Sequence, residues 1–198
     1  EFQETGYEVY RTYKTAYGNI PGTPVPVRFN EFTTDAQQIA KKVIVKVPGW
    51  EQQLAANKAG YAASFASSPR FMSAYPLTMS PAMLVDTMNL NAGGVLSPSE
   101  RDALVTDLTS GNKTRGEVLR AIAGNAKLKN AEFNRAFVLM EYFGYLRRDP
   151  NDAPEAMRDF SGYDFWLAKL NKFNGNYINA EMVKAFLSSI EYRQRFGP

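Results

Sequence analysis

Hydrophobic residues recur along most of this chain at the spacing of an α-helix. The clearest stripe contains Phe133, Phe137, Met140 and Gly144, which stand at i, i+4, i+7 and i+11 and so share one helix face. Comparable patterns, with residues that start and stop helices, predict eight helices near residues 4–17, 50–67, 80–91, 98–110, 114–124, 131–147, 162–172 and 179–189. The pattern therefore predicts an all-α fold.

Several expected helices carry capping signals at their first residues. Ser97–Glu100 has the sequence Ser-Pro-Ser-Glu, which predicts a capping box with proline at the first helical position. Thr114 and Glu117 have the spacing of a second capping box. Ser161 and Asn179 are expected to cap the helices that follow them.

Residues 19–48 resist a helical interpretation. Prolines at the start of this stretch interrupt any helix, and the β-branched run 43–47 predicts a short extended segment. Phe29 and Phe32 fit the start of a helical turn. We expect an irregular, Pro-rich insertion whose apolar residues pack over the helices; the alternative is that the insertion carries the function.

The chain contains an internal repeat. Residues 65–71 and 186–192 both have the pattern aromatic-x-Ser-Ser-x-charged-aromatic, and residues 122–128 are a weaker copy. The last position of the pattern falls at Phe2, Phe71, Leu128 and Tyr192. The intervals predict units of about 60 residues, which is the length of a small helical repeat unit.

A second landmark supports this division. An apolar pair four residues apart precedes each end of a unit, and that spacing places both side chains on one helix face. The pairs are Trp50 and Leu54, Leu104 and Leu108, and Trp166 and Leu170. We expect three tandem units, 1–78 with the insertion, 79–133 and 134–198, the first beginning in the tail of a preceding unit.

Composition narrows the chemistry and the partners. The 198 residues include no Cys and no His, which excludes disulfides, thiolate nucleophiles and triads that depend on His. The net charges of the three expected units are +2, 0 and +1, so no part of the chain has the concentrated charge of a nucleic-acid interface. No apolar run reaches the ~18 residues of a membrane span. Without an initiating Met, we expect the chain to be an excised or processed piece.

The last third of the chain carries a recognisable motif. Its parts are Tyr142-x-x-Tyr145-Leu146-Arg147-Arg148-Asp149-Pro150, Gly162-x-x-Phe165-Trp166-x-x-x-Leu170, and Ser189-x-Glu191-Tyr192. This pattern resembles an uncharacterised tandem helical domain family of bacterial secreted and surface proteins, itself similar to the phycobilisome linker domain. The resemblance covers residues 130–197 well and the rest loosely. The chain departs from the family at Asn151, where the family has Asp, and in a longer loop at 151–160.

The resemblance implies an all-helical, extracellular or cell-surface module with further copies in the parent chain, and no catalytic residues carry over. The expected structural signature is Trp50, Leu54, Phe65, Phe71, Leu104, Leu108, Tyr142, Arg148, Gly162, Trp166, Leu170, Phe186, Glu191 and Tyr192. Trp166, Phe186 and Tyr192 are expected to anchor a core. Glu191 is expected to pair with Arg148 or to cap a neighbouring helix.

One segment has the spacing of a calcium loop. Asn89, Asn91, Ser97 and Glu100 fall at positions 1, 3, 9 and 12 of an EF-hand pattern, with Gly94 at position 6. Calcium prefers several carboxylates, and Glu100 is the one charged residue of the set. A turn followed by a helix cap explains the same residues more simply.

A cluster of carboxylates offers the one catalytic hypothesis. Asp149, Asp152, Glu155, Asp159 and Asp164 include enough acids for glycosidic chemistry if two stand at the right separation. A solvated acidic loop is the simpler interpretation. We therefore expect no catalytic or cofactor-binding residues.

The leading hypothesis is a non-catalytic structural or interaction module that binds protein partners or itself through exposed aromatic and helical faces. The alternative is a calcium- or glycan-binding module attached to an extracellular enzyme. Aromatic residues make up 13% of the chain, and they fit either the cores of small helical units or recognition surfaces.

Overall fold

A computed structural model describes residues 2–197, with side chains from residue 5 onward, and every regular element in this range is helical. The α-helices are α1 Phe2–Tyr17, α2 Phe29–Ala40, α3 Trp50–Ala66, α4 Pro69–Ala74, α5 Pro81–Asn91, α6 Pro98–Thr109, α7 Arg115–Ala123, α8 Ala126–Glu141, α9 Ser161–Lys172, α10 Met182–Ser188 and α11 Ile190–Phe196. A π-helical turn, Tyr142–Leu146, continues α8. The predicted all-α fold is confirmed.

The two predicted capping boxes are present. In the first, the backbone N–H of Glu100 donates to Ser97 Oγ at 3.3 Å, and the N–H of Ser97 donates to Glu100 Oε2 at 2.7 Å. Thr114 and Glu117 repeat this arrangement at the start of α7. Each box satisfies backbone donors that lack a partner inside the helix, which explains why the sequence located these starts well.

Two other predicted caps are wrong. Ser161 is the first residue of α9, and Asp159 Oδ1 accepts a hydrogen bond from its backbone N–H at 3.0 Å. Asn179 lies in a turn that Asn176 stabilises by accepting from the Asn179 N–H at 3.0 Å. The following helix, α10, begins at Met182 because the chain first completes that turn.

The insertion at 19–48 is more regular than expected. It contains α2, whose Phe32 and Ile39 are buried one above the other on the side that faces the core. The β-branched run 43–47 is wrong as an extended segment: it forms turns, because no neighbouring strand lies within the described residues to pair with it. The expected packing of the insertion over the helices is confirmed, with Val25 and Val27 fully buried.

Two short helices and an early helix start were not predicted. The Ser-Ser repeat places Ser68 and Ser189 at the N-caps of α4 and α11, where they accept from the backbone N–H groups of Phe71 and Tyr192 at 3.3 and 3.1 Å. Asn125 caps α8 in the corresponding place of the weaker copy. The repeat therefore encodes a helix cap followed by an apolar residue at the third helical position. The side chain of Phe2, the first landmark, lies outside the described residues.

The buried side chains form one connected core. Helix α1 packs against α2, α5, α7 and α8, so it contacts helices from all three expected units. The expected boundary between residues 133 and 134 lies inside α8. The three segments thus share a core within the described part of the chain, and their origin as tandem copies stays a prediction about the sequence.

Candidate functional site

The strongest part of the sequence motif forms a buried ion pair. Arg148 Nε donates to Glu191 Oε1 at 2.7 Å, and Arg148 Nη2 donates to Glu191 Oε2 at 2.9 Å. The predicted pairing of these residues is confirmed. This two-point geometry is the strong form of a charge-assisted hydrogen bond.

The remaining donors of Arg148 bind the loop that follows it. Arg148 Nη1 donates to the carbonyl oxygens of Asp149 at 2.9 Å, Pro150 at 3.0 Å and Asp152 at 3.3 Å. The guanidinium also lies 5.3 Å from the centre of the Tyr142 ring, within the range of a cation–π contact. Arg148 therefore organises the fold, and every nitrogen of its guanidinium is engaged within the chain.

Gly162 provides space for the Tyr142 hydroxyl. A Cβ atom at position 162 would lie 2.8 Å from that oxygen, closer than side-chain contacts allow. The Gly of the motif is thus required by a close approach between α9 and the π-helical turn. Burial raises the pKa of Tyr142 to about 12, so the hydroxyl stays protonated at neutral pH.

Trp166, which was expected to anchor the core, packs against the core without being buried in it. Its side chain is half-buried, and its ring lies 5.6 Å from that of Phe186, which is buried. The aromatic residue of α9 that is fully buried is Tyr163, whose hydroxyl donates to the Arg135 carbonyl at 3.0 Å. Sequence reasoning missed Tyr163, although its spacing of four from Leu167 placed both on one face.

The other signature residues pack in or against the core. Those that are buried are Phe65, Phe71, Leu104 and Leu170. Those that are half-buried against the core are Leu54, Leu108 and Tyr192, while Trp50 is half-buried beside a surface groove. The signature thus describes how helices pack together, and none of these side chains supplies a reactive group.

The four calcium candidates are placed in separate hydrogen-bonding groups. Asn89 Oδ1 accepts from the Leu96 N–H at 3.0 Å, and Asn91 Nδ2 donates to the Ala16 carbonyl at 3.0 Å. Ser97 and Glu100 are occupied by the capping box. The residues between 2 and 197 contain no group of three or more acidic, His or Cys side chains arranged to hold a metal ion.

The carboxylate cluster connects the acidic loop to the insertion. Asp149 Oδ1 accepts from the backbone N–H of Phe29 at 3.0 Å, which caps α2 from outside. Arg28 Nη1 donates to Asn151 Oδ1 at 2.8 Å. The pKa of Asp149 is raised by burial. Asn151 therefore has a structural role in holding the insertion.

A second carboxylate was missed by sequence reasoning. Glu141 is buried at the end of α8, and its Oε2 atom has no hydrogen-bond partner among the described residues. Burial raises the pKa of Glu141 from 4.5 to about 7. The helical stripe alone did not reveal it, because Glu141 follows five consecutive buried residues on a helix covered on several sides.

The loop after α2 exposes apolar side chains among lysines. Ile44, Val45 and Val47 are 66%, 37% and 47% exposed, and Lys41, Lys42 and Lys46 stand beside them. We call these six residues the basic surface. Lys42 and Lys46 have positive φ angles of 61° and 70°, which non-glycine residues rarely adopt. A contiguous exposed apolar patch with a polar rim is typical of an interaction site.

The loop before α9 has the opposite charge. Asp152, Glu155 and Asp159 lie within five residues of Met157, which is 75% exposed, and Arg158 is the one basic residue of this stretch; we call Asp152, Glu155, Met157 and Asp159 the acidic surface. This loop is held at the first residue of α2 by Asp149, whereas the basic surface begins directly after its last residue. A helix of 12 residues is about 18 Å long, so the two surfaces lie at opposite ends of α2.

A groove of about 570 Å³ lies next to the basic surface. Its apolar lining includes Trp50, Leu54 and Val45, the last shared with the basic surface, and its charged lining includes Glu51 and Arg120. An aromatic ring beside charged groups is a surface on which a sugar or a peptide side chain can stack.

Comparison with known proteins suggests no function, so a functional assignment depends on the features described above. No helix within residues 2–197 combines the length and the hydropathy that crossing a membrane requires. No family model, curated protein or solved structure matches the chain.

Proposed function

We propose that this chain is a non-catalytic structural and interaction module of a larger secreted or cell-surface bacterial protein, and that it associates with copies of itself. The observation that carries the proposal is the basic surface, where three exposed aliphatic side chains stand among three lysines. The likeness of residues 130–197 to tandem domains of bacterial surface proteins supports the extracellular location and the presence of further copies in the parent chain.

The acidic surface of a second copy is the partner that fits the basic surface. It presents carboxylates to the lysines and the exposed Met157 to the aliphatic side chains. Opposite charges orient the two copies and speed their encounter, while burial of apolar area supplies most of the free energy. Association should therefore weaken, without disappearing, when salt is added.

The resulting contact joins unlike surfaces. The two surfaces lie at opposite ends of α2, so a pair of copies leaves one basic surface free at one end of the assembly and one acidic surface free at the other. Such head-to-tail contacts close into rings or continue as filaments, and they differ in this from a twofold dimer. A linker or adhesive module requires this kind of repeated contact.

Sedimentation velocity over a range of protein concentrations tests the proposal. The wild-type chain should increase in mass with concentration. A variant with Ile44→Ser and Val47→Ser should remain monomeric, while a matched control, Leu77→Ser with Leu90→Ser, should associate as the wild type does. Leu77 and Leu90 are 74% and 77% exposed and lie outside both surfaces. A wild-type chain that stays monomeric at millimolar concentration overturns the proposal.

Mixing two defective variants distinguishes a head-to-tail contact from a twofold one. The variant without a basic surface retains its acidic surface, and a Met157→Ser, Asp152→Lys variant retains its basic surface. Each alone should be monomeric. An equal mixture should form dimers and nothing larger, because one competent pair of surfaces remains. A mixture that stays monomeric, as each variant does alone, contradicts the head-to-tail arrangement.

A glycan-binding module is the second candidate, and the groove beside Trp50 favours it. Carbohydrates stack on accessible indole rings, donate hydroxyl hydrogen bonds to carboxylates such as Glu51 and accept hydrogen bonds from guanidinium groups such as Arg120. Titration of a Trp166→Phe variant with oligosaccharides isolates the fluorescence of Trp50, since these are the two Trp residues of the chain. A saturable change that is lost in Glu51→Ala and Arg120→Ala variants supports this candidate, and an unchanged spectrum rejects it.

A further inference from the structure

An apolar pocket of about 300 Å³ lies between α1, α2 and the π-helical turn. Its walls include the rings of Phe29, Phe32 and Phe143, with ring centres 5.5 Å apart for Phe29 and Phe143 and 4.8 Å apart for Phe32 and Phe143. Ala36 lines the α2 side. The volume is at the lower end of the usual range for small-molecule sites, about 300–1,000 Å³.

Polar residues interrupt the apolar lining at Thr5, Thr33, Gln37 and Arg147, and the two that matter here are Thr5 at the buried end and Arg147 at the rim. Thr5 is 2% exposed, and its Oγ1 atom makes no hydrogen bond within the part of the chain that the structure describes. Arg147 is exposed at the rim, and its guanidinium makes no hydrogen bond or ion pair within the described residues. Buried hydroxyl groups are nearly always hydrogen-bonded, so the Thr5 hydroxyl is available to a bound molecule.

The backbone beside the pocket is unusual as well. Phe143 lies in the π-helical turn, and Arg147 directly after it has a φ of 54° in the left-handed region. Single π-helical turns occur often at functional sites, and strained non-glycine residues cluster at ligand-binding sites. The same short segment thus supplies one wall of the pocket and the charge at its rim.

We infer that this pocket binds a compact aromatic carboxylate that carries a hydroxyl group at its other end. The ring of the ligand packs among the three Phe rings, where aromatic pairs prefer offset or edge-to-face contacts. The carboxylate accepts hydrogen bonds from the Arg147 guanidinium at the rim. The ligand hydroxyl bonds with the Thr5 hydroxyl at the buried end, which satisfies a group that otherwise has no partner.

Three probes separate these contributions in calorimetric titrations of the full chain. Hydroxyphenylpropionate carries both polar ends, phenylpropionate lacks the hydroxyl, and hydroxyphenylpropanol lacks the charge. Hydroxyphenylpropionate should bind saturably with the highest affinity of the three. Absence of saturable binding of all three at millimolar concentration overturns the inference.

Arg147→Asn tests the charged end, because Asn tolerates the left-handed conformation. It should weaken hydroxyphenylpropionate about tenfold and leave hydroxyphenylpropanol nearly unchanged. Arg158→Asn is the matched control, since Arg158 is also exposed, has a φ of 53° and does not line the pocket. Equal losses for the acid and the alcohol, or an equal effect of the control, contradict the assignment of Arg147.

Thr5→Val tests the buried end with little change in shape. It should remove the preference for hydroxyphenylpropionate over phenylpropionate. Thr15→Val is its matched control on the same helix, because Thr15 is also buried with an unpartnered hydroxyl but does not line the pocket. A preference that survives Thr5→Val contradicts the role of the Thr5 hydroxyl. Neither charged loop surface lines this pocket, so the Arg147 and Thr5 variants test it independently of self-association, and Arg158→Asn, which lies beside Met157, is compared at a protein concentration at which the chain is monomeric.

Discussion

Arg148 and Glu191 form a two-point ion pair between residues that are 43 positions apart in the chain. Arg148 begins the loop that leads to the acidic surface, and Glu191 lies on α11, so the pair ties the last helix to the end of the π-helical turn. The two side chains are 8% and 16% exposed. Removal of one partner therefore leaves the other charge with little access to water.

Glu191→Gln should lower the free energy of unfolding by about 3 kcal/mol, because Arg148 is left as an uncompensated buried charge. Asp86→Asn is the matched control. Asp86 and Arg101 also form a two-point pair, at 2.7 and 2.8 Å, but their side chains are 53% and 31% exposed. Loss of that exposed pair should cost about 1 kcal/mol or less. Urea unfolding measures both, and equal losses contradict the structural role of the buried pair.

Gly116→Ala should destabilise the chain by about 1–3 kcal/mol, since overpacking a close helix contact forces the backbone to shift. A Cβ atom at this position would lie 2.8 Å from the carbonyl oxygen of Ala62, where α7 crosses α3. Gly60→Ala on α3 is the control, because its Cβ would meet nothing within 4 Å. That change should stabilise the helix by about 0.5–1 kcal/mol. Thermal unfolding that moves both variants in the same direction contradicts this prediction.

The sequence predicted a helix start well where the capping residues stand next to the helix that they begin. The boxes at Ser97 and Thr114 depend on residues three positions apart, so they are visible without the fold. The sequence indicated a helical turn at Phe29 and Phe32, but it did not predict that a helix of 12 residues, α2, begins there. Its first N–H group is capped by Asp149, 120 residues away, and this contact exists only after folding. The prolines before it concealed a helix that tertiary contacts stabilise.

The residues of the candidate site were likewise predictable only in part. The sequence motif offered Arg148 as one of two possible partners for Glu191, the other being a neighbouring helix end, and the structure shows the ion pair. It did not identify Arg147 as the residue facing a pocket, since the π-helical turn that positions it has no sequence signal of its own. The basic surface was read as a strand for a related reason: β-branched residues favour sheets only when a partner strand is available.

Substitution of Trp166 tests whether its observed burial, and not its place in the sequence motif, determines its contribution to stability. As a half-buried side chain, it should lose about 1–2 kcal/mol of stability on substitution by Ala, whereas Phe186→Ala should cost about 3–5 kcal/mol because Phe186 is buried. The two rings are in contact, so the double variant should lose less than the sum. Denaturant midpoints at a constant m-value measure the three differences. A larger loss for Trp166→Ala than for Phe186→Ala contradicts the observed burial.

Glu141 makes stability depend on pH. Burial raises its pKa from 4.5 to about 7 in the folded chain. Between these values the folded state retains a proton that the unfolded state has lost, so the contribution of this group to stability falls as pH rises through that window. The full difference corresponds to about 3 kcal/mol. Glu141→Gln cannot ionise, so it should match the wild type near pH 4 and exceed its unfolding free energy by up to about 3 kcal/mol above pH 7. The difference between the two unfolding free energies, measured at successive pH values, should follow one titration. A difference that stays constant from pH 4 to pH 8 contradicts the burial of this carboxyl group in its protonated form.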